Sequence, residues 1–182
     1  PEYTIVPGEH LSSVADAGGQ AGRGLRGEYF HNNRLDGAAR LVRNDPQVNF
    51  GWTLSAPGRG IPFDWYSVRW SGRITPPGSG VKRIGVEGND GYRLYLGGRL
   101  LIDNWIKRSY GSKLVEVALA PGSIHDVRLE YFESTGNARV KLIWDAGMRD
   151  DWRARIDSAV AVARNSDAVI AVVGIEEGEF RD

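Results

Sequence analysis

From Leu25 to about Gly147 the chain is a succession of short segments, each closed by a turn signal: Pro76-Pro77-Gly78, Asn89-Asp90-Gly91, Gly97-Gly98, Pro121-Gly122 and Thr135-Gly136-Asn137. These residues tolerate positive φ or pre-set a reversal, so the backbone turns at each of them. The segments between them alternate. Ser67–Ile74 places Val68 and Trp70 on one face and Arg69, Ser71 and Arg73 on the other. Val127–Tyr131 and Val140–Trp144 repeat the pattern in full or in part. Many such strands predict an antiparallel β-sandwich or barrel with one face of each strand buried. The 24 glycines and 8 prolines among 182 residues exceed the average share of about 12%, which argues against a helical bundle.

After Gly147 the period changes. Trp152, Ile156, Val160 and Ala163 recur at helical spacing and predict one apolar stripe on a helix. Asp150 and Asp151 near its start and Arg164 near its end suit the helix dipole. Ala168-Val169-Ile170-Ala171-Val172-Val173-Gly174 is apolar throughout, as in a strand buried on both faces of a parallel α/β sheet. One helix covers only one face of such a strand. Tyr3–Val6 is β-like as well, but two strands do not make an α/β domain. The expected organisation is therefore three-part. Residues 1–23 form a leading strand and a glycine-rich linker, 24–147 form the β-sandwich, and 148–182 supply the helix, strand and acidic loop of a larger, interrupted α/β domain. The chain is then a fragment of a longer protein.

Composition narrows the function classes. Lys and Arg number 23 and so do Asp and Glu, for a net charge of +0. This speaks against nucleic acid as a partner held by net basic charge. No apolar run approaches the ~20 residues of a membrane helix, so no membrane partner is expected. Without cysteine there is no disulfide, thiolate metal site or Cys nucleophile. The compartment stays open, and a periplasmic or secreted parent is compatible with this composition.

Few motifs carry chemistry. Gly22-Arg23-Gly24-Leu25-Arg26-Gly27 has GxGxxG spacing, but a strand-like run follows where a dinucleotide site needs a helix. His10, His31 and His125 lack metal-ligand spacing. Asn89-Asp90-Gly91 reads as a hairpin turn, and one carboxylate with one amide is a sparse oxygen cluster for Ca²⁺; no metal site and no cofactor are assigned. Phe63 and Trp65 lie in a long loop, Ser55–Tyr66, where aromatic faces suit the C–H edges of sugar rings. Beyond the C-terminal apolar run comes Glu176-Glu177-Gly178-Glu179. A Glu past the carboxyl end of an α/β strand is either a general acid or part of a solvated loop.

Four separated blocks carry a resemblance. Gly24–Phe30, Ser67–Ile74, Asn89–Gly98 and Leu101–Trp105 together resemble, in order, the protective-antigen-14-kDa-type domain, a jelly-roll-like β-sandwich found in toxins, adhesins and glycosidases. The flanks resemble family 3 glycoside hydrolases, in which such a domain can interrupt the α/β-sandwich domain that follows the catalytic barrel. Gly178-Glu179-Phe180-Arg181-Asp182 is similar to their GExxD loop. That resemblance implies a retaining β-glucosidase-like parent, with Glu179 as acid/base, and Glu176 and Glu177 as alternatives. It implies an oligosaccharide substrate, and the remainder of the parent enzyme as partner, with Phe63 and Trp65 contacting sugar at the active-site rim. Sugar-binding members of the protective-antigen-type family hold Ca²⁺ with two adjacent Asp residues, and Asn89 stands at the first of those positions here. The alternative is a carbohydrate-binding or adhesion module that works alone. A sandwich that braces domains or forms a homo-oligomer contact is the third possibility.

Overall fold

The computed structural model describes residues 3–13, 22–147 and 152–170. They fall into two units, Pro1–Ala146 and Gly147–Asp182. In the first unit, twelve strands among the described residues form two antiparallel sheets. The strands are β1 (Thr4–Ile5), β2 (Leu11–Ser12), β3 (Leu25–Phe30), β4 (Leu41–Asp45), β5 (Asn49–Gly51), β6 (Tyr66–Ile74), β7 (Val81–Gly88), β8 (Gly91–Leu96), β9 (Arg99–Asn104), β10 (Gly111–Leu119), β11 (His125–Glu133) and β12 (Arg139–Trp144). One sheet runs β1-β12-β7-β10, with β5 also paired to β12. The other runs β4-β3-β6-β11-β8-β9, with β2 also paired to β6. The expected antiparallel β-sandwich is the observed fold.

The alternation read from the sequence decides which faces meet. Val68 and Trp70 of β6, Leu129 and Tyr131 of β11, and Val140, Leu142 and Trp144 of β12 are all buried in one core shared by both sheets. Arg73 is exposed and Arg69 half-buried on the outer face. Glu130 departs from the pattern, being buried on the polar side of β11. The register explains it. Glu28, Arg69, Glu130, Arg93 and Asp103 fall side by side across five strands, a row of alternating charge. Arg69 Nε lies 3.3 Å and Arg128 Nε 3.4 Å from Glu130. The flanking arginines cover the carboxylate and supply the opposite charge that its burial requires.

Asp45, at the end of β4, anchors a second polar network inside the core. Its Oδ2 accepts from Tyr29 Oη at 2.5 Å and Trp70 Nε1 at 2.8 Å, and its Oδ1 from Arg43 Nε at 2.7 Å. Burial above all, and then the Asp45 charge, push the Tyr29 hydroxyl far above the usual phenol range, so it stays a donor. Gly27 is required beside it, because a Cβ there would come within 2.5 Å of Asp45 Oδ2. Arg43 reaches outward too, donating from Nη1 to the Pro57 carbonyl at 2.9 Å. The loop that carries Phe63 and Trp65 is thereby tied to the core.

One segment pairs elsewhere than expected. Tyr3–Val6 is not the leading strand of a second sheet: Thr4 pairs with Trp144 and Ile5 with Ile143 at the edge of the sandwich, and Val6 is buried in its core. Leu11 likewise pairs with Ile74. A short apolar run is satisfied by any open sheet edge, and β12 offers one within reach. Most of the expected strand Ala168–Gly174 lies outside the described residues, which reach only Ile170; Ala168–Ile170 are exposed. The expected helix is present as α1 (Trp152–Arg164), with Arg164 in its last turn. Its stripe residues Ile156 and Val160 are exposed, and Asp150 and Asp151 lie outside the described residues.

Candidate ligand-binding end of the sandwich

The register places the ends of both sheets together. Tyr66 pairs with Glu133, Phe132 with Gly91, and Tyr92 with Asn104 in one sheet. Gly88 pairs with both Gly111 and Val140 in the other. Four connections therefore meet at one end: 55–65, 88–91, 105–110 and 134–138. Hydrogen bonds cross between them. Asp90 N donates to the Arg108 carbonyl at 2.9 Å, Asn89 N to the Arg139 carbonyl at 3.1 Å, and Gly136 N to Asp64 Oδ1 at 3.3 Å. Lys107 Nζ donates to Thr135 Oγ1 at 2.6 Å.

At this end lie the two aromatics singled out from the sequence. Phe63 is 60% and Trp65 56% exposed, and Ile106 on the neighbouring connection is 53% exposed. Asp64, between the two aromatics, is the residue bonded to Gly136, so their loop is fastened to the 134–138 connection. Trp65 is held at φ 62°. The left-handed region costs a side-chain-bearing residue ~1–2 kcal/mol, and a bulky residue there is an outlier that points toward function. Nothing in the sequence signals that backbone state, since neither Asp64 nor Trp65 belongs to a recognised turn pair.

Beneath the rim lies a polar cluster that sequence reasoning reached only at Asn89 and Asp90. Asp90, at φ 54°, is 1% exposed and Glu133 is fully buried. Asp90 Oδ1 accepts from Ser134 Oγ at 3.0 Å and Oδ2 from Asn89 Nδ2 at 3.2 Å. Glu133 Oε2 accepts from Tyr131 Oη at 3.3 Å, while Glu133 Oε1 and Tyr66 Oη are buried without a hydrogen-bond partner. Burial, and then the adjacent Asp90 carboxylate, push the Glu133 carboxyl up to about 9, so it is protonated at neutral pH. Gly91 closes the cluster: a Cβ there would overlap the Phe132 ring, which packs edge-on against Trp105 with centroids 4.9 Å apart. The signal for Glu133 was absent from the sequence, where it is the last residue of an ordinary alternating strand.

Calcium does not fit this donor set. A hard cation needs six or more oxygens free to turn toward it. Asn89 Oδ1 instead accepts the Arg139 amide at 2.6 Å, and both Asp90 oxygens accept from neutral donors. Among the described residues no group of three or more His, Cys, Asp or Glu is arranged to hold a metal. Glu179, together with Glu176 and Glu177, lies outside the described residues, so the sandwich's own candidates are Phe63 and Trp65.

Comparison with known proteins agrees with this architecture. Anti-sigma-I factor RsgI3 of Acetivibrio thermocellus is 37% identical over 125 residues, which is 69% of this chain and 19% of that protein. The chain thus spans about a fifth of the curated relative it matches. A solved anti-sigma factor domain-containing protein from Clostridium clariflavum is 37% identical, covers 69% of this chain and 42% of its own, and superposes with a TM-score of 0.63. The β-glucosidase of Kluyveromyces marxianus covers 87% of this chain and 21% of its own with a TM-score of 0.62, but at 18% identity it shares the fold alone. The glycosidase resemblance therefore reaches no further than the fold, and these relatives above 30% identity are named as anti-sigma factors. The family profile described as the PA14 domain matches residues 22–153. Most of the sequence lies within that match, and the chain belongs to the PA14 domain family.

Proposed function

We propose that this chain is a carbohydrate-recognition module of a longer protein, taking an oligosaccharide at the loop end with Phe63 and Trp65 against the sugar rings. The observation that carries the reading is Trp65, more than half exposed and held in the left-handed region on a loop fastened at Asp64 and Pro57. An aromatic pre-set toward solvent loses little entropy on binding, and its face meets sugar C–H groups while nearby amides and hydroxyls meet the sugar oxygens. The anti-sigma relatives support a sensing role, in which the module reports a glycan to the remainder of its parent.

Calorimetry with cello- and laminari-oligosaccharides tests this. Binding by the wild-type chain is expected to weaken at least tenfold in Trp65→Ala and further in Phe63→Ala/Trp65→Ala, about the 1.4 kcal/mol of a modest hot spot. Equal affinity in both variants, or no binding to any member of a broad glycan panel, overturns it. The run Gly178–Asp182 supports a second reading, the inserted module of a retaining β-glycosidase in which Glu179 protonates the leaving oxygen. In that parent Glu179→Gln lowers kcat sharply on substrates with poor leaving groups, and unchanged turnover removes the assignment.

A further inference from the structure

We propose that the ligand site extends from Trp65 onto the 31–36 segment, where Asn33 and Arg34 hold a further residue of the sugar chain. This end of the sandwich then reads an oligosaccharide by its length. The register sets the platform. Phe30 pairs with Ser67 on one side of β6, and Tyr66 pairs with Glu133 on the other. Trp65 directly precedes Tyr66, so it stands between the 31–40 connection, which joins β3 to β4, and the 134–138 connection. β3, β6 and β11 are neighbouring strands. Two strand spacings make about 10 Å, wider than one pyranose ring.

The 31–36 segment is a fixed wall. Ser67 is fully buried at the start of β6. Its Oγ donates to the Asn32 carbonyl at 2.6 Å and accepts from Leu35 N at 3.0 Å. Asn32 Oδ1 accepts from the Arg34 and Asp36 amides at 3.0 and 3.1 Å, and its Nδ2 donates to the Asp36 carbonyl at 2.8 Å. Leu35 is held at φ 59°. Leu35, Trp65 and Asp90 are the three non-glycine residues at positive φ among the described residues, and all three lie at this end. Such strain persists where the surrounding structure pre-shapes a site. Two side chains of the wall remain available. Among the described residues no hydrogen bond, ion pair or ring contact engages the side chain of Asn33 or Arg34, and Arg34 is exposed. An amide and a guanidinium fork carry the donors that neighbouring sugar hydroxyls accept. A backbone already fixed loses little entropy when they bind.

The inference rests on the recognition reading, and dependence on chain length separates the two. Calorimetry with cello- and laminari-oligosaccharides of two and four residues is the test. Wild type is expected to bind the tetrasaccharide of one series at least tenfold more tightly than its disaccharide. Asn33→Ala/Arg34→Ala should lose most of that step while its disaccharide affinity stays within about twofold of wild type, whereas Trp65→Ala should weaken both lengths. A step that survives in the double variant overturns the proposal and leaves the Trp65 reading standing. Equal loss at both lengths overturns it too, because the segment would then only support the fold of this end, and so does a wild type that binds both lengths alike. Silence toward both series removes this proposal, and only silence across the whole glycan panel removes the recognition reading with it.

Discussion

Asp45→Ala is expected to cost the sandwich ~2–6 kcal/mol, a figure that follows from the partners it strands. Asp45 is 3% exposed and serves three donors, Tyr29 Oη, Trp70 Nε1 and Arg43 Nε. Trp70 is wholly buried, so its N–H loses its acceptor where water cannot replace it, at ~1–3 kcal/mol. Tyr29 Oη keeps the Arg43 Nη2 donor at 2.7 Å but loses its acceptor, for a similar cost of ~1–3 kcal/mol. Arg43 is one-third exposed and its Nε is hydrated where it stands, so its ion pair adds only a few tenths of a kcal/mol. Equilibrium urea unfolding measures the sum as a lower midpoint at unchanged slope. Tyr29→Phe alone should cost about 1 kcal/mol, and the double variant should cost less than the two together, because the partners share one bond. A loss below about 1 kcal/mol for Asp45→Ala, or full additivity in the double variant, refutes the reasoning.

Other perturbations bear on the loop end. Glu133 holds a proton in the folded chain up to about pH 9, whereas the unfolded chain releases it near the ordinary carboxyl value of 4.5. Stability contributed by this group is therefore full below that window and falls as pH rises through it, by up to ~1.4 kcal/mol per unit. Glu133→Gln should flatten the profile of unfolding free energy against pH, and identical profiles would falsify the assignment. Trp65→Gly removes a left-handed tryptophan and should raise the thermal midpoint by about 2–4 °C while abolishing sugar binding; a midpoint lowered by several degrees would mean the ring supports the loop instead. Gly91→Ala drives a methyl into the Phe132 ring and should destabilise by about 1–3 kcal/mol, read by urea unfolding, with no change ruling out the close approach.

Local pattern carried much of the architecture. Alternation in 67–74, 127–131 and 140–144 assigned Val68, Trp70, Leu129, Tyr131, Leu142 and Trp144 to the core, where they are buried. Turn chemistry at Asn89-Asp90-Gly91 placed a turn, and Asp90 does take positive φ there, but it is not the expected hairpin: β7 and β8 lie in different sheets, and the turn carries the chain from one to the other. Phe63 and Trp65 were legible because exposed aromatics in a polar, glycine-rich loop have no core to enter. The partners of short or self-contained segments were not legible. Tyr3–Val6 has the same β-like texture whether it borders an α/β sheet or β12, because two residues of ladder hold no information about which edge they join.

The amino-acid order by itself settled period, turns and the in-out assignment of each strand, all of which are set by neighbours within a few residues. Tertiary structure alone decided what touches across distance: the charge row that buries Glu130, the pairing of Tyr66 with Glu133, and the closure of Asn89 and Asp90 onto Arg139, Arg108 and Ser134. The reason is that side-chain chemistry is local to a residue, whereas hydrogen-bond satisfaction and desolvation belong to the space that residue shares with others. Asn89 shows the difference: its amide is written in the sequence, but its place between the Arg139 amide and the Asp90 carboxylate exists only once the ends of both sheets have been brought together.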